Sequence, residues 1–453
     1  MIRLLRILGW LVVLGVAAVL AFVFVPVRTT GPTETLAADW QAAPGQGRAA
    51  FDAGDCASCH TTPGSDTLTG GVAIASPLGT IWSTNITPDK ETGIGNWTLD
   101  QFRAAMVDGI APGGRHIYPA MPYENYRFMS EGDIRALYGY LMDEVAPVRS
   151  DTPRTKLAFP YNLRFGLRAW NWLALRHGAG PDLAGASPEQ DRGQYLVEGA
   201  THCAACHSPR NAMMMQDGVR ARHASFLTGG LVDGWEVPSL RGPASAAQRW
   251  SIAEMASYFA TGRNAVSTAN GEMALAVRHS LQWMPDDDII AIAAFLKGLD
   301  GEVGELPDSF APPGPIAIPD EPANAAGNAT ATMLTEADPG MPLGARLYLD
   351  NCAACHFVTG RGAPGIFPAL QGNSLVLSAE TGPLLSIILR GAMTPGTEKR
   401  PMPLVMQGHG ARLSDAEVAA LATFLRQAWG NSAQAVSKED VATLRGQLTK
   451  AVN

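Results

Sequence analysis

Cysteine is scarce in this chain: six among 453 residues, and all six fall in three C-x-x-C pairs. None is left for a structural disulfide, so a disulfide-stapled scaffold is excluded. A basic surplus is also missing. The 34 Lys and Arg stand against 42 Asp and Glu, a net charge of −8, so nucleic acid is not an expected partner. Apolar residues at 46% and charged residues at 17% are too polar a mixture for a multi-span membrane protein. No G-x-G-x-x-G opens a helix after a strand pattern, so no dinucleotide site of that kind is expected. What is plentiful is Gly, 48, and Pro, 32. Together with the length, at about 150 residues per domain, that predicts about three domains of short helices and many loops.

One apolar run stands out. Arg3 and Arg6 precede an uncharged stretch from Ile7 to Val25, 19 residues, which is near the length that spans a bilayer as a helix. It ends Phe24-Val25-Pro26-Val27-Arg28, with no small-x-small cleavage pattern. It reads as an uncleaved anchor, with a cleaved signal segment as the alternative. By the positive-inside rule Arg3 and Arg6 stay in the cytoplasm, and everything after about residue 30 lies across the membrane.

The C-x-x-C pairs begin at Cys56, Cys203 and Cys352, 147 and 149 residues apart. A shared motif at that period is a tandem repeat of whole domains, since solenoid units are far shorter. Each unit has a Gly-led approach to its cysteines, from Gly47, Gly193 and Gly344. Each closes with an amphipathic helix, carrying Ile134, Leu137, Tyr138 and Leu141, then Ile289, Ile292, Ala293 and Leu296, then Val418, Leu421, Ala422 and Leu425. Ser130 with Asp133 and Ser414 with Glu417 read as capping boxes, and Asp286 as the cap of the middle helix. Residues 302–342, rich in Pro, Ala and Gly, read as an exposed tether. Residues 150–190 interleave Phe159, Tyr161, Phe165, Trp170 and Trp172 with Arg154, Arg164 and Arg168. They read as a clamp between the first two domains, or as a docking or quinone-contact surface.

Each cysteine pair is followed at once by histidine: Cys56-Ala57-Ser58-Cys59-His60, Cys203-Ala204-Ala205-Cys206-His207 and Cys352-Ala353-Ala354-Cys355-His356. C-x-x-C-H is the attachment signature of c-type haem. On a helical turn, positions i, i+3 and i+4 share a face. Two thiols there can form thioethers to the haem vinyl groups while the imidazole points at the iron. Zinc would need its ligands to converge, and pairs about 150 residues apart offer no such set. A thioredoxin-like pair would need a βαβ pattern, which is missing. Three covalently bound haem c groups are therefore expected.

A six-coordinate haem needs a second axial ligand, and methionine in that place raises the potential. It should lie late in each unit, before the closing helix. Met121, in Pro119-Ala120-Met121-Pro122, fits the first unit. In the second, Met273 has a loop to reach the iron, whereas Met284 abuts the helix start. In the third, Met402 and Met406 both qualify, and Met406 better matches the first unit's gap. His409 is a lesser rival. The expected iron ligands are thus His60 and Met121, His207 and Met273, His356 and Met406.

With these motifs in place the chain resembles the triheme cytochrome c subunits of bacterial membrane-bound alcohol, aldehyde, sorbitol and gluconate dehydrogenases. The resemblance rests on Gly79-Thr80-Ile81-Trp82-Ser83-Thr84-Asn85-Ile86-Thr87-Pro88-Asp89, Tyr118-Pro119-Ala120-Met121-Pro122-Tyr123, Ala169-Trp170-Asn171-Trp172, Tyr195-Leu196-Val197-Glu198-Gly199, Thr261-Gly262-Arg263-Asn264 and the stretch from Ser414 to Asn431. It implies a mainly α fold with three tandem cytochrome c-like haem domains after the N-terminal helix. It also implies Met121, Met273 and Met406 as sixth ligands. The third site departs from the family pattern, because Met406 is followed by Gln407-Gly408-His409 while Met402-Pro403 lies just before. The implied role is an electron-transfer subunit with no catalytic site of its own. It takes electrons from a membrane-bound dehydrogenase subunit (flavin, pyrroloquinoline quinone or molybdopterin type) and passes them to ubiquinone. The implied location is the bacterial inner membrane, with the haem domains facing the periplasm.

The expected organisation is an N-terminal segment 1–30, haem domains 37–149, 189–301 and 341–431, connecting segments 150–188 and 302–340, and a tail 432–453. Two other functions fit the same motifs. One is a haem enzyme of cytochrome c peroxidase type, which needs an open iron. The other is a cytochrome c subunit donating to a terminal oxidase.

Overall fold

The computed structural model describes residues 2–24, 29–232, 235–243, 245–307 and 325–450. Among them helices dominate, and strands form only two-stranded antiparallel ribbons. The chain condenses into two units. One holds Met1–Gly47 and Thr62–Pro181, and the other holds Arg48–Thr61 and Asp182–Asn453. The second unit thus contains the second and third repeats together with the segment bearing the first C-x-x-C-H.

Each repeat is built on a crossing of its first and last helices. The leading helices are Gln46–Ala53, Pro188–Tyr195 and Leu343–Asn351. The closing ones are Glu131–Gly139, Asp286–Gly298 and Asp415–Gln427. The glycines that led each approach sit at the crossings. A Cβ at Gly47 would overlap the Ala136 carbonyl and lie 2.7 Å from the Tyr140 Cβ. At Gly193 it would overlap the Ala291 carbonyl and lie 2.6 Å from the Phe295 Cβ. At Gly344 it would overlap the Ala420 carbonyl and lie 2.7 Å from the Phe424 Cβ. Only hydrogen fits there, so backbone packs on backbone. The apolar faces read from sequence are buried as expected: Ile134, Leu137 and Leu141, then Ile289 to Leu296, then Val418, Leu421, Ala422 and Leu425. In the third repeat, buried Tyr348 and Trp429 meet edge-on at 5.0 Å, with Phe424 5.4 Å from Trp429.

Between the crossing helices each repeat places a third helix, Leu99–Asp108, Ile252–Thr261 or Gly382–Arg390. Gly109, Gly262 and Gly391 follow them at φ 63, 70 and 84. That conformation strains any residue with a Cβ, and it turns the chain toward the methionine-bearing segment.

Local readings differ from the structure in several places. Ser414 and Glu417 do form a full capping box. Ser130 Oγ accepts from Asp133 N, as the box requires, and the Asp133 carboxylate accepts from Gln46 Nε2 at 2.8 Å. Asp286 is the first helical residue rather than the cap, and the cap position is Pro285. Part of the tether is helical: Ala325–Thr335 buries Leu334, and Thr330 Oγ1 accepts from Trp429 N at 3.2 Å. Residues 308–324 of that segment lie outside the described residues. The tail forms the helix Lys438–Lys450, which buries Val441 and ties Arg445 to Asp415 at 2.7 Å.

The N-terminal run forms the helix Ile2–Phe24, with Ile7, Leu8, Trp10, Leu11 and Val12 exposed. Counted over the described residues, no helix is long and apolar enough to cross a membrane.

The crossing yields a stability prediction. Gly344→Val should destabilise the protein by about 1–3 kcal/mol or more through overpacking. Gly382→Ala, at a position where a Cβ meets nothing, should stay within about 0.5 kcal/mol of the parent. Denaturant titration followed by circular dichroism measures both, and equal midpoints would mean the crossing has slack.

Candidate haem-attachment sites

The second and third C-x-x-C-H segments share one geometry. In the second, the short helix Ala204–His207 begins directly after Cys203, whose carbonyl accepts from His207 N at 2.9 Å. In the third, Cys352 O accepts from His356 N at 3.0 Å, and the helix is Ala353–His356. One tight turn therefore puts both thiols and the imidazole on one face.

Each of these imidazoles is held from behind by a proline carbonyl. His207 Nδ1 lies 2.9 Å from Pro238 O, and His356 Nδ1 lies 3.0 Å from Pro368 O. A carbonyl can only accept, so Nδ1 carries the proton and Nε2 keeps its lone pair. That tautomer and that second bond are what an imidazole ligand to a metal requires. Burial also holds His356 below the usual histidine range, with the bond to Pro368 opposing it, which favours the neutral ring.

No two of the six cysteines are joined in a disulfide. Burial, with Cys355 nearby, pushes Cys352 up to about 12. Thiols so desolvated are poor thiolate nucleophiles. Among the described residues no three His, Cys, Asp or Glu side chains gather into a metal-holding group. Paired thiols with an imidazole offering Nε2 on the same face fit a covalently attached haem.

The first segment, the helix Cys56–His60, packs in the second unit against the helix Gly271–His279. The Asp55 backbone is left-handed at φ 48, and Ser58 Oγ donates to its carboxylate at 2.5 Å. Burial, then the charges of Asp55, Glu272 and Cys206, pushes Cys59 up to about 12. Burial pushes Cys206 up to about 11, Glu272 and Asp55 adding to it and Arg210 opposing. The first and second attachment segments are thus neighbours, with Glu272 between them.

The candidate methionines occupy three different settings. Met121 lies in the first unit, half-buried in a turn where its N donates to Tyr118 O at 3.3 Å. Met273 is half-buried in the first turn of the helix Gly271–His279, not on the loop expected of it. Met284 is buried as core. Met406 is the half-buried middle residue of the strand Val405–Gln407, opposite Ala392, with exposed residues on either side. Met402 is 75% exposed. His409 is buried beside Arg412, with Nη2 to Nδ1 at 3.1 Å.

The aromatic segment braces the Met121 turn within the first unit. Tyr118 OH donates to Tyr161 O at 3.1 Å, and Arg164 stacks over the Tyr118 ring at 4.2 Å while donating to His116 O at 2.7 Å. Tyr123 OH donates to Asn171 Oδ1 at 2.9 Å, and Asn171 Nδ2 donates to Asp108 O at 2.8 Å. The other side of the segment is open, with Phe159 77% and Trp172 78% exposed.

Sequence reading missed the proline carbonyls. The pairs Pro238-Ser239-Leu240 and Pro368-Ala369-Leu370 are alike, but they follow their histidines by 31 and 12 residues. The unequal interval hid them.

Comparison with known proteins follows the same lines. A family model for cytochrome c matches residues 190–300 and 342–429. The cytochrome c subunit of gluconate 2-dehydrogenase from Pantoea cypripedii is 37% identical over 421 residues, which is 88% of each chain. The cytochrome c subunit of a quinone alcohol dehydrogenase from Gluconobacter oxydans is 36% identical over 396 residues, 86% of this chain and 80% of its own. The cytochrome subunit of fructose dehydrogenase from Gluconobacter japonicus is 36% identical over 405 residues, 87% of this chain and 80% of its own.

The brace on the Met121 turn is testable. Asn171→Ala removes two buried hydrogen bonds and should cost about 1–3 kcal/mol. Trp172→Ala, its exposed neighbour, should change stability by less than about 0.5 kcal/mol. Thermal denaturation of the two variants compares them directly, and an unaffected Asn171 variant would remove the brace from the account.

Proposed function

Because the chain belongs to the cytochrome c subunits of dehydrogenase complexes, we propose that it binds three haem c groups and passes electrons through them from a partner dehydrogenase to ubiquinone. Membership in that family makes its role electron transfer, with haem c covalently bound. When bound, the group supplies a one-electron iron couple. The chain's own residues do the holding and the shielding. Cys56 and Cys59, Cys203 and Cys206, and Cys352 and Cys355 are the attachment pairs. His60, His207 and His356 are the proximal ligands, and Met121, Met273 and Met406 the opposite ones.

The observation that carries this reading is the proline carbonyl behind His207 and His356. It sets the tautomer and aims Nε2 away from the chain, on the face that also bears the thiols. Met406 is favoured over Met402 by its half-buried place on the ribbon, where Met402 turns to solvent. A histidine and a methionine for each haem would leave the iron no open place for a substrate, which favours a carrier over a peroxidase.

A membrane location is supported by the first unit's apolar surfaces. The helix Ile2–Phe24 exposes Ile7 through Val16, and Arg168 lies over the Phe22 ring at 5.2 Å. That contact brings the open aromatic side of residues 159–173 to the end of the helix. Exposed Phe159, Tyr161, Phe165 and Trp172 suit a bilayer interface and a quinone. The expected setting is the periplasmic face of a bacterial inner membrane. The partner is a catalytic subunit oxidising an alcohol or sugar, as the relatives' names suggest, with flavin, pyrroloquinoline quinone or molybdopterin as its cofactor.

Mass spectrometry of what co-purifies with the tagged chain from detergent-solubilised membranes tests the role. A large dehydrogenase subunit is the expected companion. Oxidase subunits, or peroxide turnover by the lone chain, would point to the other two functions. The ligands are tested separately. Met406→Leu should turn one haem of three high-spin in the visible spectrum, while Met402→Leu should leave all three unchanged.

A further inference from the structure

Where the second and third repeats meet, a cluster centred on a buried arginine holds positive charge that no carboxylate among the described residues neutralises. Gly262 turns the chain out of the helix Ile252–Thr261 into Arg263 and Asn264, which are 6% and 2% exposed. The loop is firmly held. Ser257 Oγ and Thr261 Oγ1 both donate to Arg263 O, at 3.1 and 3.0 Å. Asn264 Oδ1 accepts from Val266 N and Ser267 N, at 3.0 and 2.8 Å. Two backbone bonds then seam it to the third repeat, Gly365 N to Asn264 O at 3.0 Å and Ala369 N to Val266 O at 3.2 Å. Residues 365–369 include Pro368, whose carbonyl holds His356.

The side chains in this rigid setting are under-used. Arg263 reaches only Met402 O, through Nη2 at 3.4 Å, and its Nε is buried without a partner. Asn264 Nδ2 is likewise buried and unpartnered. Arg400 donates Nη1 to Gly365 O at 2.7 Å and lies near enough for its charge, after burial, to hold Arg263 below the usual range. Neither arginine forms an ion pair among the described residues. A buried guanidinium, Arg263, with a half-buried one, Arg400, nearby and no anion between them is costly, and so are amide and guanidinium N–H groups aimed at nothing. A planar carboxylate satisfies all of them at once.

We propose that Arg263, Asn264 and Arg400 bind a propionate carboxylate of the third repeat's haem, so that the second repeat completes the third haem's site. This rests on the haem reading above. The cluster abuts the loop that holds the third proximal histidine and the chain leading to Met406, which places it at that haem's edge. Haem carries two carboxylates on its periphery, and no external anion is needed. The ferrous haem carries one more negative charge than the ferric haem, so cations paired with its propionate would favour the ferrous state and raise the midpoint.

Spectroelectrochemical titration of the full-length holoprotein in detergent reads this directly. Arg263→Gln and Arg400→Gln should each shift one of three midpoints to lower potential by about tenfold in its equilibrium, which is about 59 mV for one electron. The other two midpoints should stay in place, and Arg263→Lys should restore most of the shift. Asn264→Asp, nearly isosteric, should move the same midpoint down and guards against a misfolded arginine variant. Combination with Met406→His identifies the wave, because that substitution should move the third haem's midpoint to lower potential. Unchanged midpoints in the arginine and aspartate variants, or a shift in a wave that Met406→His leaves alone, would overturn the proposal. A parent protein lacking three haems by the pyridine haemochrome assay would count against the haem reading instead.

Discussion

Three times along this chain two helices approach so closely that only a hydrogen atom fits between them. Gly47, Gly193 and Gly344 each lie against the carbonyl of an alanine and the Cβ of an aromatic residue one helix away. Everything else in a repeat hangs on that contact. It fixes the leading helix, and the leading helix runs straight into the cysteines. It fixes the closing helix, whose buried face carries the core. In the third repeat the same crossing seats Tyr348, Phe424 and Trp429, and Trp429 Nε1 donates to Val358 O at 2.8 Å, just past the C-x-x-C-H turn. The attachment turn is therefore anchored on both sides by the core rather than by its own few hydrogen bonds.

A second layer of order comes from backbone carbonyls. Pro238 O and Pro368 O set the proton position on their histidines, and each sits on a loop held by further backbone bonds. Leu240 N donates to Leu227 O at 2.9 Å, and Leu370 N to Gly360 O at 2.7 Å. Imidazole orientation thus follows from loop structure far from the cysteines. Proline fixes φ at these positions, which stiffens the loop that presents the carbonyl.

Much of this was legible in the sequence, and the reason is periodicity. The attachment motif recurs with one spacing, the closing helices show the 3.6-residue pattern, and the leading glycines recur beside both. What stayed hidden depends on partners with no sequence identity or on long-range packing. A carbonyl belongs to every residue, so Pro238 and Pro368 could not announce their role. Met273 sits on a helix because the chain after Asn270 can wind directly, where a loop reading assumed it would not. Residues 325–335 and 438–450 look polar or Ala-rich in isolation and are helical because Leu334 and Val441 find the third repeat's core. The donors of Arg263 and Asn264 were quoted only as part of a resemblance, and their lack of partners shows only in three dimensions.

The repeat in sequence is not the unit of packing. Residues 48–61 belong to the first repeat by pattern and to the second unit by contact. Their neighbour, the helix Gly271–His279, is synthesised more than 200 residues later. The third C-x-x-C-H, by contrast, meets its closing helix within the next 71 residues. During vectorial synthesis the first cysteine pair therefore remains unpacked far longer than the third. Its thiols stay open to attachment, and equally to mispairing, over that interval. The order in which the chain emerges thus makes the first site the one whose maturation has the longest window.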